Sequence, residues 1–458
     1  MAGDAPPMKR PKLEKDDGWS RHPSAANGSA PRPPAASPSD APPPGGEEDD
    51  EELPEEAVLA LIAHHEREVE RYKLKREHQN LVQSVKKSSA PTTLKFYGGT
   101  LVSSQHKRKL RCLELCPADD QLVITSALDG MVTLWQVQSS GNLASVCVFC
   151  SSVQKPVAVF SQKMTHYDVH NLKHCMGSWP SISLLSTTNC FSSKQRWPED
   201  VAWHPDGDTI FAVYTADGGD TQVSMMNLNT SGQKKVTFLQ AKPHTKGIIN
   251  NINFMPWSDT CFMTGGSDHA VMLWQERDDS WNHKKVHRDL HSSAVMGVAG
   301  LQQRKTIISV GMDKRIISYD VSAERAEYKN LIDSKCLSVL LNPSDFNLYM
   351  VQTGSPGRQL RLFDIRLRQT EVHAIGWKQT SSESQSALIN QSWSPDGWYL
   401  SSGSADPVIH IFDIRYQGQK PCQSVQAHQK RVFKAVWHQT FPVLTSISSD
   451  LNVAIHKY

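Results

Sequence analysis

From about residue 92 onward, short apolar runs alternate with Gly, Asp, Asn and Pro turns. Val271-Met272-Leu273-Trp274 and Val408-Ile409-His410-Ile411-Phe412 are typical, and their length and composition predict β-strands. A fixed step organises them. Six residues separate Asp406 from Phe412, and the same step joins Asp129 to Trp135, Asp220 to Met226, Asp268 to Trp274, Asp313 to Tyr319 and Asp450 to His456. Gly357 to Phe363 keeps the offset without the acid. From Met226 onward these anchors lie 48, 45, 44, 49 and 44 residues apart, which marks a repeated structural unit. The Asp suits a tight turn between two strands, and the large side chain then lies inward near the end of the next strand.

Turns and histidines follow the same frame. His204-Pro205-Asp206-Gly207 and Ser394-Pro395-Asp396-Gly397 each come directly after a Trp, and their Pro and Gly suit a type I turn between strands. His244 precedes Asp268 by 24 residues, while His291 and His428 precede Asp313 and Asp450 by 22.

This pattern resembles the WD-repeat β-propeller family over roughly residues 93–458, whose blades repeat about every 40–45 residues. The Trp-Asp signature is degenerate and stands as Tyr319-Asp320, Phe363-Asp364 and Phe412-Asp413. The resemblance implies an all-β, seven-bladed propeller at 91–458, in which each His and Asp hydrogen-bond within a blade beside a strand Ser or Thr. These histidines therefore read as structural groups rather than catalytic bases or ligands. From Lys194-Gln195-Arg196-Trp197-Pro198-Glu199-Asp200 onward the chain also looks like a group of plant WD-repeat proteins, which implies the fold and no activity.

The last anchor leaves the final blade with three strands, and a four-stranded blade needs one more. Thr93–Tyr97 or the adjoining Thr100–Ser103 is expected to supply it, so that the two ends of the propeller are zipped together. The 91 residues between Trp135 and Met226 exceed one period, and an insertion at about 146–183 accounts for the excess. Cys147, Cys150, His170 and His174 lie within it, but the spacing between the pairs is too long for a zinc finger and no metal site is expected.

Ahead of the repeats, residues 1–52 are rich in Pro, Ala, Ser and Gly and end in an acidic run, the composition of a disordered tail. Lys9, Arg10 and Lys12 around Pro11 resemble a nuclear import signal. Residues 53–90 read as a helix, with Pro54 in its first turn, Glu55 and Glu56 near its start, and Lys86 and Lys87 near its end. Val58, Leu61, Ile62, Val69 and Tyr72 form its apolar stripe.

Composition narrows the function. Net charge is +2, so no global field points to nucleic acid, which is not expected as a direct partner. No apolar run reaches the roughly 20 residues of a membrane span, and the N-terminus lacks the apolar core of a signal peptide. Nine scattered cysteines read as reduced thiols of a nuclear or cytoplasmic protein. No P-loop, dinucleotide fingerprint, nucleophile elbow or zinc-protease helix is present, so neither enzyme activity nor a cofactor is expected. What remains is a protein-binding scaffold. Its docking loops are expected just after the blade histidines, at Lys246, Lys430 and Arg431.

One repeated detail exceeds what blade packing needs. Phe-Asp-Ile-Arg occurs at Phe363–Arg366 and again at Phe412–Arg415. Phe and Ile suit a packed strand, but the arginines require another account. The motif is similar to one in substrate receptors of cullin-4 ubiquitin ligases, and that resemblance implies that Asp364, Arg366, Asp413 and Arg415 dock to the ligase adaptor. An Arg fork suits such an interface because it holds several acceptors at once. Two other readings stand beside it: blade closure with a solvated Arg, or a nuclear scaffold of a chromatin or RNA-processing complex with no ligase role. Oligomeric state is not legible.

Overall fold

A computed structural model describes residues 90–138, 180–230, 235–278, 280–367, 370–379, 386–416 and 418–458. They form seven four-stranded antiparallel sheets. Blades 1 to 6 cover residues 110–189, 200–238, 249–287, 295–331, 336–375 and 391–426, each with its four strands in chain order. Blade 7 takes three strands from 432–457, and its outermost strand is Gly99–Ser103. The acidic tail, the N-terminal helix and most of the 146–183 insertion lie outside the described residues. Ser181–Ser183 fall inside the outer strand Ser181–Asn189 of blade 1, so the expected insertion overlaps that strand by three residues.

Why the strands read as dense apolar runs follows from where their two faces go. Seven buried apolar clusters are present, one between each pair of neighbouring blades around the ring. Side chains alternate across a strand, so one strand feeds two clusters. In Val408–Asp413, Ile409 and Ile411 face blade 7 while Phe412 faces blade 5. In Leu360–Asp364, Leu360 and Leu362 face blade 6 while Phe363 faces blade 4. Both faces are buried, so the polar half of the usual alternation is largely absent. Six of the seven anchors (Trp135, Met226, Trp274, Tyr319, Phe363 and Phe412) lie on a third strand in the cluster shared with the preceding blade. Truncating one such aromatic to Ala is expected to cost about 3–5 kcal/mol.

Closure uses both candidate segments, in different roles. Gly99–Ser103 pairs antiparallel with Asn452–Lys457 over five residues. Thr93–Tyr97 forms no strand. Leu94 instead exchanges hydrogen bonds with the Gln423 side chain (3.2 and 3.0 Å) on the outer strand of blade 6, and Leu94 and Phe96 pack into the cluster between blades 6 and 7. A second staple joins blade 7 to blade 1. Asp120 accepts the Thr440 backbone N–H (2.8 Å) and hydroxyl (2.8 Å), and its carbonyl oxygen lies 2.7 Å from His438 Nδ1.

Four blades carry the expected lock. His244 Nδ1 lies 2.9 Å from Asp268, and its Nε2 lies 2.8 Å from Thr264 Oγ1, which also accepts from Trp274 Nε1 at 3.1 Å. His291, Asp313 and Ser309 repeat the arrangement, as do His428, Asp450 and Ser446, where His456 replaces the Trp. His106 with Asp129, Thr125 and Trp135 is a fourth, at a 23-residue offset between the 22 and 24 of the others, and absent from the histidines singled out above. Blade 2 has no such His, and the Asp220 carboxylate instead accepts from the Ser192 and Ser193 hydroxyls at 2.5 and 2.8 Å. In blade 5 Gly357 stands where the acid would be. There the buried Arg361 is paired with Asp333 and Glu371 instead.

Burial, above all, pushes His287 down to about 3, and His410, His438 and His456 down to about 4. An unfolded histidine takes its proton near 6.5. Stability is therefore held above that pH and lost as pH falls from about 6.5 towards 4, by up to about 1.4 kcal/mol per pH unit for each group. Urea denaturation should show a midpoint that drops steadily between pH 7 and pH 4.5. A midpoint flat across that window would contradict the burial of these neutral rings.

Candidate docking surfaces

In an antiparallel blade, the turn between strands one and two and the turn after strand three emerge at the same end. That end carries both Phe-Asp-Ile-Arg segments. Phe363 and Phe412 are buried, Ile414 is buried, and Ile365 packs against the cluster between blades 4 and 5. Two of the four residue types, Phe and Ile, are thus accounted for by packing. Ile365 N–H donates to Asn347 O at 2.9 Å, and Ile414 N–H donates to Trp398 O at 3.0 Å, so the two segments repeat one local geometry.

The arginines fold back on their own aspartates. Arg366 Nε and Nη2 donate to Asp364 at 3.0 and 2.6 Å, and its backbone N–H donates at 2.8 Å. Arg415 makes the same fork on Asp413, at 2.8 and 2.9 Å, with its backbone N–H at 3.0 Å. Both aspartates are buried, and Asp413 also accepts the Thr92 backbone N–H at 3.3 Å. All four residues were expected to meet a partner, and in the free chain each aspartate is taken up by its own arginine. Asp364 and Asp413 are enclosed and act as positioning groups, so only the outer edges of the arginines are presented. The hydrogen bonds to Asp364 push the Arg366 guanidinium up. Burial opposes that for Arg415, but bonding to Asp413 outweighs it.

The two arginines differ in their surroundings. Arg415 sits over the Trp398 ring at 4.0 Å and reaches the Tyr399 hydroxyl at 3.3 Å. Its side chain is 18% exposed, against 41% for Arg366, which has Asn347 in place of an aromatic. Trp398 and Leu367 are themselves exposed apolar side chains beside the arginines. The turn bearing Trp398 is held rigidly. Gly397 has φ +71°, and its carbonyl accepts from Asn342 Nδ2 of blade 5 at 2.8 Å. A Cβ at Gly397 would collide with that Asn342 side chain. Sequence reading passed over Trp398 and Leu367, although Trp398 directly follows the Pro-Asp-Gly turn already singled out.

At the opposite end lie the loops after the blade histidines. Lys246 and Lys430 are exposed there, and Arg431 is half-buried. Lys246 belongs to blade 3, whereas Lys430 and Arg431 precede the first strand of blade 7. Other blades intervene on either side, so the ring does not bring these three cations together. Lys9, Arg10 and Lys12 lie outside the described residues. Among the described residues no group of His, Cys, Asp and Glu could hold a metal ion, and no helix is long and apolar enough to cross a membrane.

No family model matches the chain. It is 22% identical over 335 residues to a WD repeat-containing protein of Dictyostelium discoideum, covering 69% of this chain and 16% of that protein. It is 23% identical over 261 residues to the WD repeat-containing protein 26 homolog of Drosophila melanogaster, covering 56% and 37% respectively. With the protein transport protein sec13 of Aspergillus oryzae it shares 22% identity over 245 residues, 48% of this chain and 81% of that one. The chain thus spans well under half the length of the first two relatives. Seven closed blades, the repeated His–Asp locks and these relatives support membership of the WD-repeat β-propeller family, whose members generally serve as non-enzymatic protein-interaction scaffolds.

Proposed function

We propose that this scaffold is a nuclear substrate receptor of a cullin-4 ubiquitin ligase and docks to the ligase adaptor through the end of blades 5 and 6. The supporting observation is the pair of arginines, each aimed by its own buried aspartate at the same position in adjacent blades. Self-pairing fixes each guanidinium before a partner arrives, which reduces the entropy lost on docking. Exposed Trp398 stands beside Arg415, and Trp and Arg are enriched in interface hot spots, while exposed Leu367 adds apolar area next to Arg366. Nuclear entry is assigned to Lys9, Arg10 and Lys12.

Two measurements test this reading. A pull-down with the cullin-4 adaptor should retain the wild type and lose about tenfold or more with Arg366→Ala plus Arg415→Ala, a typical loss for two hot-spot side chains. A wild type that does not bind the adaptor would sink the ligase role and favour the scaffold of a chromatin or RNA-processing complex. Imaging of a tagged Lys9→Ala, Arg10→Ala, Lys12→Ala variant should show nuclear signal lost to the cytoplasm. Unchanged nuclear accumulation would contradict the import assignment.

A further inference from the structure

The first strands of the blades line a cavity of about 370 Å³ along the ring axis. That volume lies at the lower end of the range for small-ligand pockets, roughly 300–1,000 Å³. Its charges do not balance. Arg111 is paired with Glu199, and Lys434 with Glu114 at 2.5 Å. Asp200 also lines the cavity, and among the described residues it has no ion-pair partner. Two cations therefore face three carboxylates, leaving one negative charge.

Hydrogen-bond capacity is biased the same way. Asp200 Oδ2 accepts from Ile252 N–H at 3.0 Å and from Asn251 Nδ2 at 3.3 Å. Its Oδ1 meets the Cys112 thiol at 3.7 Å, and the carboxylate also draws on the Val201 N–H. Asn250 and Asn253 also line the space. Their amide nitrogens are committed to Val295 O at 2.9 Å and Val298 O at 3.2 Å. That leaves both side-chain oxygens as acceptors. In blades 1 and 3 the first strand shifts register after its first residue, so Arg111 and Asn250 are bulge residues, a device that re-aims a side chain. The cavity thus offers the Asp200 Oδ1 and the Asn250 and Asn253 oxygens as acceptors and is one charge negative, while Lys434, Arg111 and Asn390 also turn N–H groups toward it.

We infer that this axial cavity is a binding site for a single guanidinium group, presented on a slim stem such as an arginine side chain. A guanidinium matches the net charge and these acceptor oxygens together, because it carries one positive charge and five N–H donors. Asp200 Oδ1 takes the charge, and the Asn250 and Asn253 oxygens take further N–H groups. The site is separate from the docking end of blades 5 and 6 and does not depend on the ligase reading.

Acid should weaken binding. Burial, above all, raises the Asp200 carboxyl to about 6, with Glu114 adding to the rise and Lys434 and the Ile252 N–H opposing it. Arg111 and the Cys112 thiol also face the site, and burial keeps that thiol protonated. Because the carboxyl is raised, its charge is lost as pH falls through about 6, and the ligand then loses its counter-ion.

Calorimetric titration of the full chain with N-acetyl-arginine amide tests the site. Saturable one-to-one binding is expected, at least tenfold tighter than for the neutral N-acetyl-citrulline amide, and about fourfold weaker at pH 5.5 than at pH 7.5. Asp200→Asn should lower the affinity at least tenfold. The same substitution should leave the melting temperature of the free protein unchanged or higher, since it removes a half-buried charge that has no direct ion pair and keeps an oxygen to accept the Ile252 N–H. Methylguanidinium separates the sources: weaker binding than the capped arginine assigns the site to a protein side chain, and equal binding to a free small cation. No saturable binding of the capped arginine, or equal binding of the citrulline analogue, overturns the inference on wild type alone.

Discussion

Every blade in this ring is buried on both faces, and that constraint governs the rest. A four-stranded sheet with two apolar faces is insoluble by itself, so each blade depends on its neighbours. In a closed ring the dependence has no natural end, and the last interface must be made as completely as the first. Here the outer strand of blade 7 comes from the far end of the propeller sequence, and the cluster between blades 7 and 1 is as well buried as the others. Asp120 and Lys434 add polar ties across the same joint.

A rigid ring confines variation to its two ends and its axis. The blade histidines are spent on locks, which removes most of the groups that could pass for catalytic residues. What is left for function is charge placed on rigid elements. Arg366 and Arg415 are oriented by carboxylates that are themselves fixed at the ends of packed strands. Along the axis, the first strands bring together residues from all seven blades, so a ligand there would sense the whole ring. Asp200 in that space is only partly offset, by the nearby Lys434 and the hydrogen bonds from Ile252 and Asn251, and packing does not explain it, because a half-buried carboxylate without a direct ion pair is disfavoured unless something else offsets it.

Much of the fold was legible because it rests on local spacing. The six-residue step from turn to anchor found one strand in each of the seven blades, and the Pro-Asp-Gly turns held. His106 escaped notice although its 23-residue offset from Asp129 lies between those of the other locks. Self-pairing of the arginines was not legible, since it depends on how the chain curls after the strand and not on residue type. Nor could the axial cluster be seen. Arg111, Glu199, Asn250 and Lys434 are scattered over more than 300 residues and meet only because the ring closes. The choice between Thr93–Tyr97 and Thr100–Ser103 was likewise undecided by pattern, because both are short β-type runs just ahead of the first complete unit. Packing decided it, by seating the first segment across the joint between blades 6 and 7 and pairing the second with the edge of blade 7.

Closure by Gly99–Ser103 is the claim on which the ring, its two ends and its axis all rest. Removing residues 90–104 and measuring solubility, oligomeric state and thermal unfolding tests it most directly. The account predicts that the shortened chain aggregates or loses its cooperative transition, because the edge of Asn452–Lys457 is laid bare. A soluble, monomeric deletion variant that melts with the wild-type midpoint would contradict it.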